Sequence, residues 1–172
     1  MKKRGQVWVE TVVYTLVALV LIGLVLTFVK PKITELQDKV IIQQTISVMN
    51  SINNKLVELS DSGPGNKRNL ELTIKSGSMT INGTSDQIVF DMDSHYQFSE
   101  PNEPVNYGDI VIYDTVFSGL NRIKLTLNYT SKYNVTYLGG DTSKTLTASS
   151  TPYTLLISNK GGTNPNMDFE MG

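Results

Sequence analysis

Residues 11–29 read Thr-Val-Val-Tyr-Thr-Leu-Val-Ala-Leu-Val-Leu-Ile-Gly-Leu-Val-Leu-Thr-Phe-Val, nineteen positions without a charge. As a helix rising about 1.5 Å per residue, the run spans roughly 28 Å, close to the hydrocarbon thickness of a bilayer. Lys2-Lys3-Arg4-Gly5 stands before it and Lys30-Pro31-Lys32 after it. The run is too long for the apolar stretch of an ordinary secretory leader, and no small-residue cleavage site follows it. It therefore reads as a retained membrane helix. The basic front holds that end inside, although Lys30 and Lys32 weaken the asymmetry.

Working outward, the helix is expected to continue past Pro31, with a kink where proline removes a backbone donor. Ile33, Leu36, Val40, Ile42, Ile46, Met49, Ile52, Leu56 and Leu59 recur at three- and four-residue steps, with polar residues between them. That spacing gives an amphipathic helix with one apolar stripe, suited to seating a globular head; a coiled-coil partner is the weaker reading because the heptad is not strict. Ser60-Asp61-Ser62-Gly63-Pro64-Gly65-Asn66 stops it.

Beyond Asn69 the period changes to two. Leu70/Leu72/Ile74, Met79/Ile81, Ile88/Phe90/Met92, Ile110/Ile112 and Ile123/Leu125/Leu127 alternate with polar residues, and Tyr153 to Ile157 reads as a last strand. Ser76-Gly77, Asn82-Gly83, Pro101 to Pro104, Ser118-Gly119 and Gly139-Gly140 supply the turns. The expected fold is α+β: a long N-terminal helix, then an antiparallel β-sheet or β-sandwich head of about seven strands. The expected divisions are a basic leader at 1–5, a long helix at 6–60 with its transmembrane half at 6–29, a linker at 61–68, a β-rich head at 69–160 and a flexible tail at 161–172.

Composition narrows the function. A formal net charge of −1 argues against a nucleic-acid binder, which carries a basic face. The absence of cysteine excludes disulfides, thiolate zinc sites and thiol nucleophiles. His95 is the single histidine, so any catalytic triad or histidine metal site must be built on it. Asp91, Asp93 and His95 alternate along one strand face and form a weak candidate metal or acid–base cluster; a solvated polar face is the plainer reading. No phosphate-binding glycine loop, G-x-S-x-G elbow or H-E-x-x-H is present. The chain does not read as an enzyme, and neither a cofactor nor a metal is expected. Seven tyrosines between Tyr96 and Tyr153 suit strands, or an adhesive surface.

One residue does not fit a plain anchor. Glu10 stands at the front edge of the apolar run, where a carboxylate is costly if carried inward. At the interface a helix N-terminus favours it; alternatively it waits for a cation. A cut after Gly5 makes Gln6 the new terminus, frees an α-amine and places Glu10 fifth in the mature chain.

Lys3-Arg4-Gly5, Gln6, Glu10 and the long apolar helix together resemble the type IV pilins, and most closely the archaeal pilin-like proteins with a class III signal peptide. The likeness covers roughly residues 1–60, and the glutamate favours a pilin over an archaellin. It implies that a prepilin peptidase cuts between Gly5 and Gln6 on the cytoplasmic side. It further implies that the helix becomes a filament core and that Glu10 pairs with the N-terminal amine of a neighbouring subunit. Expected partners are other copies of the chain in a helical homo-oligomer, the prepilin peptidase, the membrane and the pilus assembly machinery, with no nucleic acid. The expected product is an adhesive extracellular filament, assembled from a single-pass membrane precursor whose head lies outside. A minor pilin or pseudopilin, or a non-polymerising membrane-anchored binding domain, are the alternatives.

Three N-x-Thr sequons fall in the head, at Asn82, Asn128 and Asn134, and mark candidate N-glycosylation sites; Asn164 is followed by Pro165 and does not count.

Overall fold

The computed structural model describes the backbone of residues 3–172 and the side chains of residues 7–172. One helix, α1 (Lys3–Ser62), is followed by ten strands: β1 (Lys67–Leu72), β2 (Ser78–Asn82), β3 (Gln87–Ser94), β4 (Pro104–Tyr107), β5 (Ile110–Phe117), β6 (Leu120–Asn128), β7 (Asn134–Tyr137), β8 (Ser143–Thr147), β9 (Tyr153–Asn159) and β10 (Asn166–Met171). The fold is α+β. Residues 38–172 form one compact unit, and the described residues before Asp38 form another.

Helix α1 runs through Pro31, where the missing N–H leaves the Thr27 carbonyl without its helical donor. Lys32 Nζ sits 2.7 Å from Glu35 Oε2 one turn on, a solvent-accessible pair of small energetic weight. The helix ends where the sequence demands. Gly63 takes φ 79°, the left-handed cap conformation, and its N–H donates to the Ser60 carbonyl. Asn66 Nδ2 donates to the Ser62 carbonyl at 2.7 Å, and Asn159 Nδ2 reaches the Leu59 carbonyl at 3.0 Å. Three of the orphan carbonyls that every helix end leaves, those of Leu59, Ser60 and Ser62, are thereby satisfied.

From Ile42 the apolar stripe is buried: Ile42, Ile46, Met49, Ile52, Leu56 and Leu59 join one core with the inward residues of both sheets. Each such side chain contributes about 1.5–3 kcal/mol when fully removed from water. The six-stranded sheet has the order β4-β5-β6-β3-β2-β8, antiparallel throughout, and the four-stranded sheet the order β1-β9-β10-β7. Within the latter, β10 and β7 are parallel, the one departure from the antiparallel expectation. Alternation along β2 and β3 sends Met79, Ile81, Ile88, Phe90 and Met92 inward and their neighbours outward. The β5–β6 hairpin closes on Ser118 (φ 52°) and Gly119 (φ 81°), a two-residue loop with both angles positive that matches strand twist.

Polar contacts fasten the helix to the rest of its unit. Asn53 accepts from the Tyr129 hydroxyl (3.1 Å) and donates to Asp109 Oδ2 (2.8 Å). Burial pushes the Tyr129 phenol well above its usual range, so it stays a neutral donor. Exposed Glu58 meets Lys55 and Arg68, whose hydrogen bonds hold its carboxyl down at about 2.

Three expectations need correction. Residues from Lys160 onward do not fray: after a Gly-rich turn, Asn166–Met171 form β10 between β9 and β7, with Met167 and Phe169 fully buried. The presumed linker 61–68 is shorter, because α1 reaches Ser62 and β1 starts at Lys67. Pro104, read as part of a turn, opens β4; β7 and β8 likewise arise in stretches without an alternating signal.

Gly77 tests the packing. Its φ is 75°, and a Cβ there would lie 2.3 Å from the Asp91 carbonyl oxygen. Gly65, at φ 85°, has nothing within 4 Å of its Cβ position. Gly77→Ala is expected to cost about 2–5 kcal/mol, combining left-handed strain with overpacking, and Gly65→Ala only about 1–2 kcal/mol. Denaturant unfolding of the two variants measures the difference.

Candidate functional site

Residues 7–29 are helical, and every side chain among them is exposed within its own chain. Such a surface needs another apolar environment, because monomeric soluble proteins do not display patches of this size. The helix is long and apolar enough to cross a membrane. Its polar side chains are handled locally. The Thr11, Thr15 and Thr27 hydroxyls donate to carbonyls four residues back, at 2.8–2.9 Å.

Glu10 is the one carboxylate in this stretch, and the Tyr14 hydroxyl donates to its Oε1 at 3.2 Å from the next turn. The i, i+4 spacing of Glu10 and Tyr14 carries that contact in the sequence. Glu10 is exposed within its own chain. The Gly5–Gln6 junction is helical in backbone, and its side chains lie outside the described residues. Gly23 has open space around its Cβ position. Ala18 and Gly23, five residues apart, face directions about 140° apart, so they do not make one small-residue seam.

In the β-rich unit, Asp91, Asp93 and His95 are not gathered into a ligand set. Asp93 pairs with Arg122 across the strand (2.9 Å), and that carboxylate holds the guanidinium charged. His95 turns to the helix: its N–H donates to Asp38 Oδ2 at 2.7 Å, and its Nδ1 lies 3.0 Å from the same oxygen. Asp91 stays half-buried in a recess of about 280 Å³ with Gly77, Ser78, Met92, Asp93 and Arg122. Burial raises its carboxyl pKa, against the pull of Lys124 and Arg122. Among the described residues, no group of three or more Asp, Glu or His side chains could hold a metal ion. The contact partner Asp38 lies 57 residues from His95, a separation no local pattern can reveal.

The tyrosines divide by exposure: Tyr129 is buried, Tyr107 and Tyr113 are exposed, and the Tyr153 hydroxyl donates to the Thr147 carbonyl. Asp114, fully buried, organises the 98–102 loop through Oδ2, which accepts from the Phe98 N–H at 3.0 Å, and through its own carbonyl, which accepts from the Asn102 N–H at 2.7 Å.

The three sequons converge. Asn82 opposes Gln87, and Gln87 opposes Asn128, so both asparagines sit at one end of the six-stranded sheet, two strand spacings or roughly 10 Å apart. The third joins them through the Val135 N–H, which donates to Asp86 Oδ1 at 2.7 Å. Comparison with family models, with curated proteins and with solved structures finds no match to this chain.

Proposed function

We propose that the chain is the structural subunit of an extracellular, adhesive type IV pilus-like filament, cut between Gly5 and Gln6 and assembled through its N-terminal helix. One observation carries the reading. A single helix shows two opposite characters: residues 7–29 expose every apolar side chain, while the stretch from Ile42 to Leu59 is built into a β-rich core. A subunit that leaves lipid for a filament needs both halves, one to be covered by neighbouring copies and one to carry the head. Glu10 supplies the directional contact, because apolar helices gain little from leaving lipid. A freed α-amine at Gln6 is the cation that suits it.

A second reading, a membrane-anchored head that never polymerises, has one observation in its favour. The Tyr14–Glu10 hydrogen bond already gives the carboxylate a partner within its own chain.

Mass spectrometry of the N-terminal peptide from the cell envelope separates the two. A terminus at Gln6 is expected; a retained leader overturns the filament reading. Gly5→Val is expected to block processing, since it places a β-branched side chain beside the scissile bond. The leader then stays on the whole population, while membrane insertion persists because residues 7–29 are untouched.

A further inference from the structure

We infer that Asn128 alone among the three sequons accepts a glycan, and that it does so on the folded head. The inference rests on the head lying outside the membrane, as proposed above. At the end of β6, inward and outward residues alternate: Leu127 and Tyr129 are buried, Asn128 and Thr130 exposed. The buried Tyr129 ring and its N–H, which donates to the Asp86 carbonyl at 2.8 Å, pin the middle of the sequon. Asn128 and Thr130 are thus held on one outward face. Thr130 donates to Asn128 Oδ1 twice, from its N–H at 3.1 Å and its hydroxyl at 2.6 Å, and that hydroxyl also lies 3.2 Å from the Ser85 carbonyl. The sequon is therefore already folded into a side-chain turn, with the carboxamide and hydroxyl together. Asn128 Nδ2 donates to nothing among the described residues.

The other two sequons are spent on the fold. Thr136 is buried, with its hydroxyl 2.8 Å from Asn166 Oδ1 and 2.9 Å from Asp168 Oδ1. Presenting Asn134 with that hydroxyl requires β7 to leave β10. Asn82 makes the same side-chain turn as Asn128 but is half-buried, and its Oδ1 is tied in addition to the Ser143 hydroxyl on β8. Thr84 gives its own hydroxyl to the Asp141 carbonyl. Gly83 lies so close beneath the 141–142 backbone that a Cβ there would stand 2.8 Å from the Thr142 oxygen. Using this sequon means peeling that segment away.

The co-substrate is a saccharide esterified to a lipid phosphate. In the transfer, the bond from sugar C1 to the phosphate oxygen breaks and its electron pair leaves with the phosphate. Asn128 Nδ2 forms the new bond to C1 and gives up one proton to a base of the transferase.

Digestion of the full chain from its own envelope, followed by tandem mass spectrometry, tests this. A saccharide mass is expected on the peptide holding Asn128, and unmodified peptides at Asn82 and Asn134. Asn128→Gln and Thr130→Ala should each abolish the added mass, Thr130→Ser should keep it, and Asn134→Gln should leave it unchanged. A chain processed to Gln6 but bare at Asn128 overturns the glycan inference while leaving the filament reading intact. A saccharide at Asn134 overturns selection by the folded state, since it requires modification before β7 docks. A chain that keeps its leader and carries no saccharide overturns both readings.

Discussion

Glu10→Ala is expected to leave the protein in the membrane fraction at normal abundance and to abolish filaments. The residues that make the segment apolar are untouched, and removing a carboxylate from its front edge eases insertion. Assembly is different. In lipid the side chains of residues 7–29 already have an apolar solvent, so helix contacts add only packing energy. On the proposed filament reading, a carboxylate meeting an α-amine in a water-poor core supplies the strong, directional term that apolar packing does not. Removing one member of such a pair leaves the other charge buried and unpaired, at about 3–5 kcal/mol. That corresponds to a loss of roughly a hundred- to several-thousand-fold in the association of each subunit, repeated at every addition.

Tyr14→Phe is the control, because it deletes the intrachain donor to Glu10 Oε1 and leaves the carboxylate in place. Its filaments should be normal. Electron microscopy of sheared cells, with immunoblots of membrane fractions, reads both outcomes. Normal filaments from Glu10→Ala would remove the carboxylate from the assembly mechanism.

The legible parts of the chain were those whose burial is periodic. The 3.6-residue stripe, read from Ile33 but buried only from Ile42 to Leu59 with Ile33, Leu36 and Val40 exposed, and the alternation of β2, β3, β5 and β6 each write a local pattern into the sequence, because one face meets the core. β4 could not be read this way. All four of its residues are exposed, so it exists only through its ladder with β5. β8 buries a single apolar residue, Leu146. Of the candidate sites, Glu10 and the sequons were visible by position. Their environments were not: Asp38 beside His95, and Asp168 beside Thr136, are pairings between distant segments. The Asp91/Asp93/His95 alternation was a true strand pattern as far as Ser94. Its third member left the strand for the helix, and its second was taken by Arg122.

The C-terminal strand carries the other large expected effect, because its sequence reads as dispensable and its place in the fold is central. Ending the chain at Lys160 should eliminate the cooperative unfolding transition of the head. Met167, Phe169 and Met171 do alternate, but Gly161, Gly162, Asn164 and Pro165 before them give the segment the look of a loose end. In the sheet, β10 pairs on one side with β9 and on the other with β7, so its loss strands β7 without a partner. It takes two fully buried side chains from the core, at about 2–5 kcal/mol for a methionine and 3–5 for a phenylalanine. It also removes Asp168, which accepts from the Thr136 hydroxyl and the Gly139 N–H. Those losses approach the whole stability of a typical domain, about 5–15 kcal/mol. Phe169→Ala alone should fold and lose about 3–5 kcal/mol, which separates one packing contact from the strand as a whole. Thermal melts of the full-length and truncated chains in detergent, followed by near-ultraviolet circular dichroism, make the comparison. A sharp transition surviving in the truncated chain would mean that β1, β9 and the six-stranded sheet close the core without β10. The parallel pairing with β7 would then be an addition to the head rather than part of what holds it together.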